Sequence, residues 1–244
     1  MAPPPRQIAL LLMAMGGPDS LENVEPYLLD VRGGRPTSPE LVEEIRTRYR
    51  LTGGKSPVLE ITREVAVALE RRLNASGAAR VQCYVGLRHW HPFIKDAYAE
   101  LLKDGPDHIV GLCLAPQYSS LSIGAYVKKV EEARAELADE TPISFVTSWH
   151  RHPLLIAAIV GHIRQTLERF PAKVRAQVPV LFTAHSLPER VVAMKDPYPE
   201  EVRGTVEAVG AQLGGQPTRF AYQSQGRSGE KWLGPSVEET LDDL

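Results

Sequence analysis

The stretch from Val178 to Pro188 carries the strongest chemical signal in this chain. An apolar and β-branched run is followed at once by His185, Ser186 and a proline. An imidazole directly after a buried strand lies where α/β folds bind ligands, and near neutral pH it can accept a proton or ligate a metal. A histidine satisfied by neighbouring backbone at a strand end explains position 185 equally well. Position alone therefore does not decide between these two roles.

Two His-x-His pairs, His89 with His91 and His150 with His152, could together offer imidazoles to a transition metal. On an extended segment the side chains of residues i and i+2 share a face, so each pair has suitable geometry. No cysteine or carboxylate joins either pair in the sequence, and exposed loop histidines before a helix are common. We therefore favour the absence of a closed structural metal site, while one member of a pair could line a pocket.

A glycine-rich loop, Met15 to Ser20, follows the first apolar run. It does not match GxGxxG, and it lacks the lysine of a P-loop, so nucleotide binding is disfavoured. Its glycines permit a tight turn and the close approach of a flat ligand to the backbone.

Cationic and hydroxyl-bearing side chains are concentrated after this loop. The set is Arg32, Arg35, Arg48, Tyr49, Lys55 and Ser56. Together they would suit a flat apolar ligand that carries carboxylates, although for any single arginine a solvated helix face is the better interpretation. A second aromatic and polar segment, Pro116 to Ser120, follows an apolar run that ends at Ala115, which again places polar groups after a strand.

Strand-like runs alternate with helical patterns along the chain. The predicted strands are Ile8–Met13, Val81–Leu87, His108–Ala115, Ile143–Thr147, Val178–Thr183 and Arg219–Tyr222. The predicted helices are Pro39–Arg50, Val58–Asn74, Pro92–Lys103, Ala125–Ala138, Pro153–Phe170 and Pro199–Leu213. Near-continuous apolar strands separated by helices predict a doubly wound α/β architecture, with parallel sheets covered on both faces.

A short motif that occurs twice in the sequence indicates two related halves. GLRHWHPFI and TSWHRHPLLI each combine a strand end, a His-x-His pair and a proline that fits the first turn of the following helix. A boundary near residues 115 to 120 would give halves of ordinary domain size. We therefore predict domains at residues 1–117 and 118–244.

Composition narrows the class of protein. The 244 residues are 43% hydrophobic with a formal net charge of −2 and mixed signs throughout, which disfavours nucleic acid and anionic membranes as partners. Cys83 and Cys113 lie inside apolar segments, which predicts reduced, buried thiols and a cytoplasmic protein. The apolar run Ile8–Met13 is too short to span a membrane, and no cleavage site follows it, so we expect neither a transmembrane segment nor an export signal.

Taken together, these segments resemble the ferrochelatases, enzymes that insert ferrous iron into a porphyrin late in haem synthesis. The matching motifs occur in order along nearly the whole chain: LLLMAMGGPDS, DVRGGR, RYRLTGGKSP, GLRHWHPFI, LAPQYSS, FTAHSLPE, DPYP, YQSQG and WLGPSVEETL. The resemblance implies two Rossmann-like, doubly wound parallel-sheet domains of chelatase-like fold. They are related by a pseudo-twofold axis, with the porphyrin in the cleft between them.

The resemblance also assigns residues. It makes His185 the catalytic histidine, as proton acceptor or as ligand of the arriving iron. The residues expected to contact the porphyrin or its propionates are Met15, Arg32, Arg48, Tyr49, Ser56 and Tyr126. The residue type at Met15 resembles that of protoporphyrin-using members, whereas Tyr126 and the Arg48–Tyr49 pair resemble the residues of coproporphyrin-using members. The substrate is therefore left as protoporphyrin IX or coproporphyrin III.

The implied partners are a porphyrin and Fe²⁺, both as substrates, with no organic cofactor. Two cysteines cannot hold an iron–sulfur cluster of the usual four-thiolate kind. The oligomeric state is not indicated.

Family members continue beyond the WLGP segment into strands that carry a carboxylate partner for the histidine. We therefore expect the second domain to be incomplete, the metal site to be half present, and the chain to be less stable than a full-length relative. The residues from Val237 predict an amphipathic helix whose acidic side chains form a solvated face. These are Glu238, Glu239, Asp242 and Asp243, and they are not a replacement for the missing carboxylate.

Three alternatives to an iron-inserting lyase stay open. The chain could be a porphyrin-binding fragment without turnover, or it could insert cobalt or nickel into a tetrapyrrole. A nucleotide-dependent oxidoreductase has little support, because no GxGxxG follows any strand.

Overall fold

The computed structural model describes residues 6–75, 77–226 and 229–243. Within it the chain forms two compact units. The first contains the described residues up to Ala115 together with Leu121–Thr147, and the second contains Pro116–Ser120 together with the chain from Ser148 onward.

The first unit is built on a four-stranded sheet in which every strand is parallel to its neighbours, in the order β2-β1-β3-β4. Its elements are β1 (Gln7–Ala14), α1 (Val24–Val31), α2 (Pro39–Leu51), α3 (Val58–Asn74), β2 (Arg80–Leu87), α4 (Ile94–Leu102), β3 (His108–Cys113), α5 (Ile123–Leu137) and β4 (Ile143–Val146). From β1 the chain adds β2 on one side, and it then crosses β1 to add β3 and β4 on the other side. The carboxyl ends of β1 and β3 therefore form a topological switch point, where open α/β sheets bind ligands.

The central strand β1 is buried on both faces. Leu10 and Leu12 pack with Ala66 of α3 on one face. Leu11, the residue between them, is fully buried and faces the other side of the sheet. Helix α4 packs on that side, so closely that a Cβ added at Gly86 of β2 would meet Ile94. Helices thus cover both faces of the sheet, which is why β1 is a continuous apolar run rather than an alternating one.

The second unit contains a two-stranded parallel sheet of β5 (Val180–His185) and β6 (Thr218–Gln223). Its helices are α6 (Pro153–Leu167), α7 (Ala172–Arg175), α8 (Arg190–Ala193), α9 (Tyr198–Gly210) and α10 (Val237–Asp242). Ile156 and Val160 of α6 are buried with Val209 of α9, and Phe182 of β5 packs against this cluster. Both sheets are parallel and alternate with helices, so the predicted α/β class is confirmed.

The division into units differs from the predicted boundary between residues 117 and 118. Strand β4 pairs with β3, so α5 and β4 belong to the first unit although they follow that boundary in sequence. The two copies of the repeated motif therefore follow β2 and β4, which are the two edge strands of one sheet. In addition, Pro153 is the first residue of α6 as predicted, but Pro92 lies before α4, which begins at Ile94.

Helix α1 was not predicted, because Pro26 in its first turn interrupts the sequence pattern although a proline is tolerated at that place. Helix α10 begins at Val237 with a capping box between Ser236 and Glu239, and its acidic side chains are exposed, as predicted. Across the described residues, the structure contains no helix with both the length and the apolar character that a membrane span requires.

Candidate active site

The loop after β1 lies close to the segment that precedes α3. Gly16 has a φ of +88°, which favours glycine. A Cβ at Gly17 would lie 2.4 Å from Ser56 Oγ, and the backbone N–H of Ser56 donates to the carbonyl of Pro18 at 2.8 Å. The Tyr49 hydroxyl lies on the same side of Gly17, 3.4 Å from that Cβ position. The predicted residues Tyr49 and Ser56 are thus brought to the switch-point loop.

The loops after β1 and β2 continue the strand pairing beyond the sheet. The N–H of Arg88 donates to the carbonyl of Ala14 at 2.9 Å, and the N–H of His89 donates to the carbonyl of Met15 at 3.0 Å. Met15, whose side chain is 49% exposed, therefore lies beside His89 at the carboxyl edge of the sheet.

A cavity of about 710 Å³ opens at this edge of the first unit. It is lined by the end of α1, by the loop from Arg88 to Phe93 and by Lys129 of α5. A volume of this size falls in the range of ligand pockets. Its walls carry the cations Arg88 and Lys129 beside apolar and aromatic surface, which suits an anionic, largely apolar ligand.

Tyr126 of α5 lies beneath Arg88. The guanidinium carbon of Arg88 is 5.5 Å from the centre of the Tyr126 ring, and its Nη1 donates to the carbonyl of Leu121 at 3.4 Å. Tyr126 is only 7% exposed, and burial raises the pKa of its hydroxyl well above the usual value. In this structure Tyr126 thus orients Arg88 at the cavity wall by a cation–π contact.

His89 forms a second contact at the cavity. Its Nδ1 lies 2.6 Å from Oδ1 of Asp30, and because a carboxylate only accepts, His89 is the donor. Burial lowers the pKa of His89 and outweighs the opposing effect of the Asp30 hydrogen bond.

In the second unit, His185 is the last residue of β5, paired across the sheet with Gln223. Its main chain is fixed by a 2.8 Å hydrogen bond from the Tyr198 hydroxyl to the His185 carbonyl, and by another of 2.8 Å from the N–H of Ser186 to the carbonyl of Gln223. The side chain is exposed in this structure. Protein atoms around the ring nevertheless desolvate it enough to lower the pKa of His185, which favours the neutral imidazole.

Two carboxylates hold the segment Pro116–Ser120 in the second unit. Asp196 accepts from the backbone N–H and the hydroxyl of Ser120, both at 2.7 Å, and from the Ser119 hydroxyl at 3.1 Å. Glu201 accepts from the N–H of Tyr118 at 2.6 Å. These contacts fix a polar segment that begins three residues after the end of β3.

Comparisons with known proteins agree with the motifs. The Ferrochelatase family model matches residues 7–244. The chain belongs to the ferrochelatase family. It is 44% identical over 236 residues to a ferrochelatase from Herpetosiphon aurantiacus, a match that covers 97% of this chain and 77% of that protein.

Two further ferrochelatase relatives cover 98% of this chain each. One, from Deinococcus radiodurans, is 40% identical and matched over 76% of its own length. The other, a coproporphyrin III ferrochelatase from Listeria innocua, is 35% identical and matched over 77% of its length. Among solved structures, the sirohydrochlorin chelatase SirB from Bacillus subtilis subspecies spizizenii, in complex with cobalt, gives a TM-score of 0.49 at 10% identity, covering 88% of this chain and 66% of that one.

A ferrochelatase is a lyase that inserts ferrous iron into a porphyrin during haem synthesis. The predictions of the family, the enzyme class and the reaction are therefore confirmed.

The structure brings some of the predicted contact residues to one loop and leaves others at exposed positions. Tyr49 and Ser56 lie beside Gly17 in the loop after β1, and Met15 belongs to the same loop. Arg32, at the end of α1, has an exposed side chain, and Arg48 of α2 is also exposed and forms a 2.5 Å ion pair with Glu44.

The other candidate histidines have local partners. His152 caps α6, where its Nδ1 accepts from the N–H of Leu154 at 3.3 Å. His150 Nδ1 lies 2.8 Å from Ser148 Oγ and 3.4 Å from Glu201 Oε2. Throughout the described ranges, no group of three or more His, Cys, Asp or Glu side chains could hold a metal ion. Neither Cys83 nor Cys113 takes part in a disulfide bond.

Sequence reasoning missed five residues: Asp30, Arg88 and Lys129 at the cavity wall, and the anchoring carboxylates Asp196 and Glu201. Asp30, Arg88 and Asp196 lie in the motifs DVRGGR, GLRHWHPFI and DPYP, which were recognised without a role for these residues. Lys129 belongs to a helix whose sequence pattern marks no ligand.

Proposed function

We propose that this chain inserts ferrous iron into a porphyrin with His185 as the reactive side chain. The observation that carries the proposal is the imidazole at the carboxyl end of β5, held by its main chain while the ring forms no hydrogen bond to another described residue. The family membership supplies the reaction. The neutral imidazole of His185 supplies a base for a pyrrole proton or a ligand for the iron.

Metal insertion replaces two pyrrole N–H bonds of the porphyrin with bonds to iron. A neutral imidazole can accept one of these protons, or it can ligate the iron while the metal loses its water, but one lone pair cannot do both at once. The lowered pKa of His185 favours the neutral ring at pH 7 and therefore supports either role.

We further propose that the porphyrin contacts the carboxyl edge of the first unit. The apolar macrocycle suits the cavity walls, and the porphyrin carboxylates suit Arg88 and Lys129. Met15 offers a soft, polarisable thioether at the same edge. Tyr49 and Ser56 support the loop below it, and roles for Arg32, Arg48 and Tyr126 in porphyrin binding remain part of this proposal.

Two more features belong to the proposal. Cysteines outside disulfide bonds, such as Cys83 and Cys113, are typical of a reducing compartment and support a cytoplasmic location. The porphyrin is either coproporphyrin III, which the name of the Listeria innocua relative carries, or protoporphyrin IX.

The deciding experiment is anaerobic insertion of Fe²⁺ into coproporphyrin III and protoporphyrin IX, followed by absorbance. The chain is compared with His185→Ala and with a matched control, His162→Ala, whose histidine is exposed on α6 of the same unit. We expect insertion by the chain and the control, and a loss of about 10²-fold or more in His185→Ala. Porphyrin binding without insertion by the unmodified chain would instead identify a binding protein without turnover, and faster insertion of Co²⁺ or Ni²⁺ than Fe²⁺ would overturn the choice of metal.

A further inference from the structure

Iron insertion releases two protons, and one imidazole can accept only one of them at a time. His89 lines the cavity of the first unit and lies beside Met15 through the backbone hydrogen bond described above. Its side chain is 12% exposed, so it is largely enclosed by protein but still reaches the cavity. These features make His89 a second imidazole at the edge of the sheet where the porphyrin is proposed to bind.

Asp30 fixes the tautomer of this histidine. Because Nδ1 donates to the Asp30 carboxylate at 2.6 Å, the proton of the neutral ring is on Nδ1. The lone pair of Nε2 is then the one available to accept a proton. Among the described residues no hydrogen bond from another side chain occupies Nε2.

The groups that face His89 come from three elements. Asp30 of α1 favours the protonated ring, whereas Arg88 of the same loop and Lys129 of α5 disfavour it. Burial acts in the same direction as the two cations. The neutral ring is therefore available to accept a proton, while the adjacent carboxylate stabilises the imidazolium that forms.

We infer that His89 accepts one of the two pyrrole protons released during insertion, with Asp30 as its positioning residue. In this step the pyrrole N–H bond breaks, its electron pair stays on the pyrrole nitrogen and becomes a bond to Fe²⁺, and the proton forms a new bond to His89 Nε2. The inference rests on the proposed function, since it names a second acceptor in the same reaction.

The test measures iron insertion as a function of pH, together with porphyrin affinity from fluorescence quenching, for His89→Ala and Asp30→Asn. The first matched control is His108→Ala, at the amino end of β3 and therefore far along the strand from the carboxyl ends. The second is Asp96→Asn, whose carboxylate lies 4.0 Å from the exposed His91. We expect His89→Ala to lower kcat by about 10²-fold with porphyrin affinity within about twofold, as for loss of a general base.

For Asp30→Asn we expect a smaller loss of kcat and an acid limb of the pH profile that moves to lower pH. The direction follows because the carboxylate stabilises the imidazolium, so its removal lowers the pKa of His89. Both controls should keep the pH profile of the unmodified chain.

Four outcomes would overturn the inference. Suppose that the unmodified chain inserts iron. If His89→Ala keeps its kcat, or if Asp30→Asn keeps the pH profile, the inference about His89 is overturned and the proposed function stands. A His89→Ala variant that loses porphyrin affinity and keeps kcat would assign His89 to binding instead. A chain that binds porphyrin and inserts no iron overturns the proposed function and this inference together.

Discussion

Ser186 Oγ donates a 2.8 Å hydrogen bond to the carbonyl of Leu233, 47 residues further along the chain. Ser186 is fully buried, and the N–H of Leu233 in turn donates to the carbonyl of Leu187 at 2.9 Å. The turn that follows His185 is therefore fixed by the segment after β6. Two motifs that are distant in sequence form one support for the candidate catalytic histidine.

Replacing Ser186 with alanine removes the donor and leaves the Leu233 carbonyl with only a weaker contact from Gln225 at 3.3 Å. We expect the free energy of unfolding to fall by about 1–2 kcal/mol, the cost of a buried acceptor without its partner. Urea denaturation followed by circular dichroism measures this change. The control is Thr166→Ala, which removes an exposed hydroxyl on α6 of the same unit, and equal midpoints for the two variants would contradict the prediction.

Asp196 should make the stability of the second unit depend on pH. Burial alone raises the pKa of this carboxyl, but hydrogen bonds from Ser120, Tyr198 and Ser119 outweigh it, and the net pKa lies below the usual value. A carboxyl whose pKa is lower in the folded state stabilises the fold above its unfolded pKa of about 4, and this contribution is lost as the pH falls through the folded pKa.

We therefore expect Asp196→Asn to lose about 2–3 kcal/mol at neutral pH, with a smaller loss in acid, because hydrogen bonds to the charged form are the strong ones. Thermal melts between neutral pH and the acid range compare it with Asp243→Asn, whose carboxyl is exposed. A constant difference across the whole pH range would show that the charge of Asp196 contributes nothing.

Gly17 should be intolerant of a side chain. A Cβ at this position would meet Ser56 Oγ at 2.4 Å and Ser56 Cβ at 2.5 Å, distances that force the loop after β1 to move. We expect Gly17→Ala to cost about 1–3 kcal/mol and to weaken porphyrin binding, as overpacking does. Gly161→Ala on α6 has no atom within 4 Å of the new Cβ and should be neutral or stabilising.

The double variant Gly17→Ala with Ser56→Gly decides whether contact is the cause. Removing the Ser56 side chain should restore part of the lost stability, which would appear as a favourable coupling energy in the cycle. Additive losses from the two substitutions would mean that the strain at Gly17 arises elsewhere.

Both thiols should react slowly in the native protein. Burial raises the pKa of Cys83 to about 11, with a further contribution from Glu70, and it raises the pKa of Cys113 to about 12. Because the thiolate is the reactive form, we expect labelling by a disulfide reagent at pH 8 to be about 10²-fold slower or more than in denaturing urea. A rapidly labelled thiol in the native chain would contradict this.

The sequence by itself determined the strands and most of the helices of this ferrochelatase family member. Local patterns suffice for these, because the burial of β1 on both faces requires the continuous apolar run Ile8–Met13, and a helix needs partners only three or four residues away. The sequence placed His185 after a strand for the same reason, although the structure extends β5 to include it. The sequence pattern did not predict helix α1, because Pro26 interrupts the helical spacing of its residues.

Tertiary structure decided what depends on distant segments meeting. The pairing of β4 with β3 sets which unit α5 joins, and no pattern within β4 encodes its partner. The contact between Asp30 and His89 joins residues 59 apart, and Asp196 reaches Ser120 across 76 residues. Such contacts depend on the return path of the chain and on the desolvation that packing creates, so the supports of the candidate site became visible only in the folded molecule.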